Sequence, residues 1–175
     1  MKKILLLVVF LGLLGCNKNE TQNIVKNSLK DPNSAEFRNI NKSCGEVNAK
    51  NSYGGYIGFE RFYISNNSVF FLDKDKPLAF ELGWIAHCEE QSNLSDQELD
   101  NCVAIGQFAG AVISSKNAGV TEIASKNLVT ANSNESKNTY NTLIENGYKN
   151  FTNQTVYAHK ILKDCLSGKI QPPID

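Results

Sequence analysis

The rhythm of hydrophobic positions changes three times along the chain. Residues 4–14 are apolar almost without a break, and only Gly12 interrupts them. Ile24, Val25 and Leu29 then recur at helical spacing, with Thr21 placed to cap. Asp31-Pro32 ends this short helix, because a residue before proline avoids the helical region. The next stretch predicts five short strands, at residues 35–40, 45–50, 56–64, 69–72 and 79–88. Asn51-Ser52-Tyr53-Gly54-Gly55 and Ser65-Asn66-Asn67-Ser68 read as turns, where glycine and asparagine accept positive φ. Strands so joined make an antiparallel meander.

A helical period replaces the strand pattern at Ser95. Leu99, Cys102, Val103, Gly106, Ala109, Gly110 and Ile113 recur every three or four residues. Ser95 with Glu98 forms a capping box, and Gly119 suits the helix end. Gly106 and Gly110 make a small-residue step that lets two helices approach closely. Ile123, Ala124 and Leu128 predict a second helix, residues 131–139 a polar loop, and Tyr140, Leu143, Ile144 and Tyr148 a third helix. Thr152 is placed to cap a last helix, which buries Val156, Tyr157, Ile161, Leu162 and Cys165. The expected fold class is therefore α+β: a short N-terminal helix, an antiparallel sheet of about five strands, then a disulfide-stapled helical part. Along the chain this divides into 1–15, a 16–22 tether, 23–90 as helix plus sheet, 91–168 as the helical part, and a 169–175 tail.

Charge adds an exclusion. The 175 residues carry 18 basic and 18 acidic side chains, so the electrostatic footprint of general nucleic-acid binding is missing. The N-terminus adds an address. Lys2 and Lys3 precede the apolar run, which is too short to span a bilayer, since that takes about 20 residues. It has the length of a secretory signal's apolar region. The run ends Leu13-Leu14-Gly15-Cys16, which resembles the lipobox of bacterial lipoproteins. That resemblance implies removal of 1–15 as a signal peptide, a diacylglycerol on the Cys16 thiol and an acyl chain on its new amine. Multiple acyl chains anchor stably to a bilayer. Asn17 stands where an Asp would mark inner-membrane retention in enteric lipoproteins, so the expected place is the outer membrane, facing the periplasm.

With Cys16 assigned to lipid, Cys44, Cys88, Cys102 and Cys165 remain. An even number in an exported chain predicts two disulfides, with three possible connectivities. Cys44 and Cys88 flank the strand-rich segment, and Cys102 and Cys165 lie in the first and last helices, which favours Cys44–Cys88 and Cys102–Cys165. CxxC spacing, which a zinc ribbon or thioredoxin-like site requires, is lacking.

Leu29-Lys30-Asp31-Pro32-Asn33-Ser34-Ala35-Glu36-Phe37, then Cys44-Gly45-Glu46-Val47-Asn48-Ala49-Lys50-Asn51 and Gly54-Gly55-Tyr56, resemble a group of small bacterial and prophage proteins. The resemblance spans about residues 25–64 and implies a shared helix-plus-hairpin module, without an activity to carry over.

Catalytic and metal signals are sparse. His87 and His159 stand apart, without HExxH, GxSxG or a P-loop, so no catalytic residue, metal ligand or cofactor is assigned beyond the acyl chains on Cys16. Glu89-Glu90 reads as a solvated pair. The expected function is non-enzymatic: a lipoprotein bound to the bilayer through Cys16 that binds an envelope protein or other envelope macromolecule. An immunity or exclusion role fits the prophage resemblance. The alternative is an envelope enzyme acting on wall or lipid, with a site assembled from distant residues. The candidate binding residues are Tyr53, Tyr56, Arg61 and Tyr63 around the Gly54-Gly55 turn, because Tyr and Arg dominate interface hot spots.

Overall fold

The structure is a computed structural model that describes residues 18–90 and 92–173. The expected signal peptide, and Cys16 with the acylation expected on it, fall outside the described residues. Helix α1, Lys18–Ser28, is amphipathic and starts inside the stretch read as a tether. Thr21 does not cap it. Its side chain is buried, and its hydroxyl donates to the Lys42 carbonyl at 2.7 Å, which ties the start of α1 to a turn of the sheet. Pro32–Ser34 forms a single 3-10 turn that leads the chain into that sheet.

Four strands follow, β1 Glu36–Asn41, β2 Cys44–Asn48, β3 Glu60–Ser65 and β4 Ser68–Phe71, in the antiparallel order β1-β2-β3-β4. Asn66 and Asn67, both at positive φ, close the β3–β4 hairpin as its right-handed twist demands. The long strand expected over 56–64 begins only at Glu60. Gly58 takes φ +93, which breaks extended geometry before it.

The fifth strand expected over 79–88 is a helix. Helix α2, Pro77–Trp84, continues into a π-helical turn, Ile85–Glu89. An uninterrupted apolar run does not separate a buried strand from a buried helix by period alone. Here proline at the first helical position favours the helix, where its missing N–H costs nothing. The run is apolar all round because both sides are covered. Phe80, Trp84 and Cys88 face the sheet, and Leu78, Leu82, Ile85 and Ala86 face the helical part.

The middle of the sheet is thus covered on both faces, while Arg38 and Phe70 on its edge strands stay exposed on the α2 side. Val47, Phe62 and Ile64 pack against Val25 of α1, with Phe37, Val69 and Phe71 around them. Cys44 and Tyr63 pack against Phe80 on the other face. Beyond α2 stands the larger core, built from α3 Asp96–Asn117, α4 Glu122–Asn127, α5 Asn134–Asn150 and α6 Gln154–Leu166. Ser95 and Glu98 form the capping box of α3. α6 lies against α3 at the small-residue step, where a Cβ on Gly106 would meet the Ala158 carbonyl at 3.3 Å. Helix α5 starts within the stretch expected as a loop, because Ser133 caps it by accepting from the Ser136 N–H. Asn153, not Thr152, caps α6. Disulfides join Cys44 to Cys88 and Cys102 to Cys165, so one links the sheet to the π-helical turn after α2 and the other links α3 to α6. No helix among the described residues is long and apolar enough to cross a membrane.

Candidate functional site

The connection between β2 and β3 carries the exposed aromatics. Every residue from 51 to 59 is exposed, and the sequence Asn-Ser-Tyr-Gly-Gly-Tyr-Ile-Gly-Phe holds no charge. Tyr53 is 96% exposed, Ile57 54%, Tyr56 50% and Phe59 37%. A loop that shows four large apolar side chains to water normally collapses onto the fold. This one is held out by its own hydrogen bonds. Asn51 Oδ1 accepts from the Tyr53 and Gly55 N–H groups at 2.9 and 3.1 Å, and the Asn51 N–H donates to the Gly55 carbonyl at 2.9 Å. Asn48 Oδ1 accepts from Gly58 at 3.0 Å, and Lys50 bridges to Tyr56 in antiparallel pairing. Gly54 at φ +80 permits the tight turn.

Cations flank the loop. The Arg38 guanidinium lies 4.0 Å from the Phe59 ring centre, and the Lys50 ammonium 5.5 Å from that of Tyr56. Beneath the loop is a cleft of ≈ 250 Å³ between the end of α1 and the sheet. Leu29, Val47, Ala49, Ile57 and Phe71 line it, and Lys30, Lys50 and Glu60 stand at it.

Of the four residues expected at a binding face, Tyr53 and Tyr56 sit together on this loop. Arg61 and Tyr63 point to the α2 side of the sheet instead. Arg61 donates to Glu81 at 2.5 Å and lies over the Phe80 and Trp84 rings, so it is spent on joining sheet to helix. Tyr63 is 6% exposed, which corrects the expectation that it remains accessible. Phe70 and His87 stack on the ring at 4.8 and 5.3 Å. Burial, then the nearby Asp100 charge, pushes the phenol up to about 12. Ile57, Phe59, Lys30 and Lys50 belong to the site and were missed. The signal for the first two was present in the glycines at 54, 55 and 58, which prevent a strand from burying its alternate residues.

A second polar cluster joins sheet to helices. Asp100 accepts from the Ser65 hydroxyl and the Asn66 amide, both at 2.8 Å, and its other oxygen lies 2.9 Å from His87 Nε2. Serine, histidine and aspartate are all present, but the carboxylate stands between the other two. Nucleophile activation needs the hydroxyl on the imidazole. The His87 side chain is also only 2% exposed, so the cluster is a structural tie rather than a site open to substrate. No group of three or more His, Cys, Asp or Glu among the described residues is arranged to hold a metal.

No protein-family model matches the chain, and neither a curated protein nor a solved structure is significantly similar to it.

Proposed function

We propose that the protein is a lipid-anchored binding module that presents the loop at residues 51–59 to another envelope protein. The observation that carries this reading is the nine-residue uncharged loop, pinned by Asn48 and Asn51, with Tyr53, Tyr56, Ile57 and Phe59 in solvent. Tyr, Ser, Gly and Asn are the residue types that loops evolved for protein recognition favour, since they combine rigid contact area with adaptable hydrogen bonding.

The position of the loop supports the same reading. Thr21 fixes the start of α1 beside Lys42, at the end of the sheet that also holds the β3–β4 turn. Ser28, Leu29 and Lys30 arrive at the cleft under the loop. An anchor at Cys16 would then meet one end of the sheet and the loop would stand at the other. The length of α1 sets that separation at about 16 Å. A partner would find the loop pointing away from the bilayer.

The test is recovery of partners from detergent-solubilised envelopes with the full chain as bait, alongside Tyr53→Ser/Tyr56→Ser. The double variant should fold as the parent by circular dichroism and lose specific partners. Undiminished recovery refutes the loop reading. Cys16→Ser should leave an unprocessed precursor that takes up no labelled palmitate; normal processing and labelling would refute the anchor.

A further inference from the structure

We infer that the cleft beneath the loop holds the C-terminal residue of a partner polypeptide, with its apolar side chain inside and its free carboxylate between Lys30 and Lys50. This rests on the loop being the partner-binding site and names the chemistry it reads.

The argument starts with size. At ≈ 250 Å³ the cleft falls below the usual range of small-molecule pockets, roughly 300–1,000 Å³, and suits a single anchoring side chain. Its floor is apolar, made by Leu29, Val47, Ala49, Ile57 and Phe71. Its polar groups are few and of opposed kinds. Neither Lys30 nor Lys50 has an ion-pair partner among the described residues, and the Tyr56 ring 5.5 Å from the Lys50 ammonium leaves that charge uncompensated by any anion. Glu60 is the single acid and supplies an acceptor. An internal acidic residue carries its carboxylate in place of an apolar side chain and would leave the apolar lining unfilled, whereas a C-terminal residue has both. A C-terminal residue satisfies all three groups, because it offers one carboxylate to the lysines and one amide N–H to Glu60. The end of α1 works against any anion with about half a negative charge, but the effect fades within a helical turn and two full positive charges outweigh it.

Saturation-transfer difference NMR tests this on the full lipidated chain in phosphatidylcholine nanodiscs, with empty discs as control. The probes are N-acetyl-phenylalanine and its C-terminal amide. The acid should saturate, and the amide should bind about fivefold more weakly, the effect of roughly one exposed ion pair per lysine. Lys30→Gln/Lys50→Gln should fold as the parent and erase that difference, whereas Ile57→Ser should weaken both probes. Equal saturation by acid and amide overturns the inference. So does a preference that survives in the double lysine variant, or the absence of any saturation. Sedimentation with phosphatidylglycerol vesicles that depends on the two lysines, without a preference for the acid probe, would also overturn it and assign them to lipid. Failures remain separable. Lost partner recovery in Tyr53→Ser/Tyr56→Ser with no acid preference removes the cleft and keeps the loop. Acid preference with undiminished recovery removes the loop as partner site, and with it the identification of the cleft's occupant as a partner's C-terminus.

Discussion

Gly83→Ala should destabilise the protein, against the ordinary rule for helix interiors. Alanine in place of glycine there gains about 1 kcal/mol of helix propensity. Helix α2 crosses the sheet at Gly83, however, and a Cβ added there would lie 2.8 Å from Tyr63 Cε1 and closer still to Cζ and Oη. The Tyr63 ring has nowhere to go, because Phe70 and His87 stack on it and Phe80 lies 5.5 Å away. Overpacking costs about 1–3 kcal/mol, and contacts this close take its upper part, about 2–3 kcal/mol. The expected net loss is about 1–2 kcal/mol, which lowers the melting temperature by roughly 3–7 °C for a domain of this size. Removing the ring reverses the sign: in a Tyr63→Val background Gly83→Ala should be stabilising by about 1 kcal/mol. Urea melts of the four proteins give the coupling directly, about 2–3 kcal/mol for residues in contact. If Gly83→Ala matches the parent, or costs as much without the tyrosine ring as with it, the close approach of α2 to β3 is wrong.

Two further outcomes follow from the joint between sheet and helices. Because the Tyr63 phenol is raised to about 12 by burial, the folded protein keeps a proton that the unfolded chain has released between about pH 10 and 12, so stability falls as pH rises through that window; melting temperatures against pH should decline less steeply for Tyr63→Phe, and equal slopes would contradict the buried ring. Asp100→Ala strips the partner from Ser65, Asn66 and His87 and should cost about 2 kcal/mol in a urea melt, since the Ser65 hydroxyl and His87 ring are buried while Asp100 itself is partly wet; an unchanged midpoint would show that the cluster does not tie the sheet to α3.

The sequence exposed what repeats locally and hid what depends on a neighbour. Ser95 and Glu98 announce α3 because a cap is a contact within four residues. Asn66-Asn67 announces its hairpin for the same reason. The helix over residues 77–84 was obscured because its two partners, sheet and helical core, both demand apolar residues and so erase the period that separates helix from strand. Tyr63 and Arg61 were misplaced for a linked reason: their exposure is decided by α2, which the pattern had assigned to the sheet's edge. Tyr53 and Tyr56 were readable as exposed because glycines on either side of them preclude regular burial. Lys50 adjoins the loop and pairs with Tyr56, but Lys30 joins the site only through the packing of α1 on the sheet, twenty residues away in sequence, and nothing local signals that.

The way the surfaces of the sheet are covered lends further support to the proposal that a partner engages the loop. α1 covers one face of the sheet and α2 the middle of the other, where Arg38 and Phe70 on the two edge strands stay exposed. Of the two sheet edges, β1 is interrupted by a bulge at Asn39 with φ 54 and carries Glu36 and Arg38, devices that discourage strand addition. The other edge, β4, has only four residues and begins directly at the Asn66-Asn67 turn. The bidentate Arg38–Glu46 pair, which holds the Glu46 carboxyl below its ordinary value, further fixes the β1 side and leaves Arg38 stacked on Phe59. The Cys44–Cys88 disulfide and the Asp100 tie join sheet to helices, and Cys102–Cys165 staples α3 to α6. If a partner binds at the loop as proposed, rigidity of that kind would lower the conformational cost of binding, because groups that a partner would otherwise have to order are ordered already. On the proposed reading, the helical part would contribute to recognition only through the support that α2 and the Cys44–Cys88 disulfide give to β2 and β3.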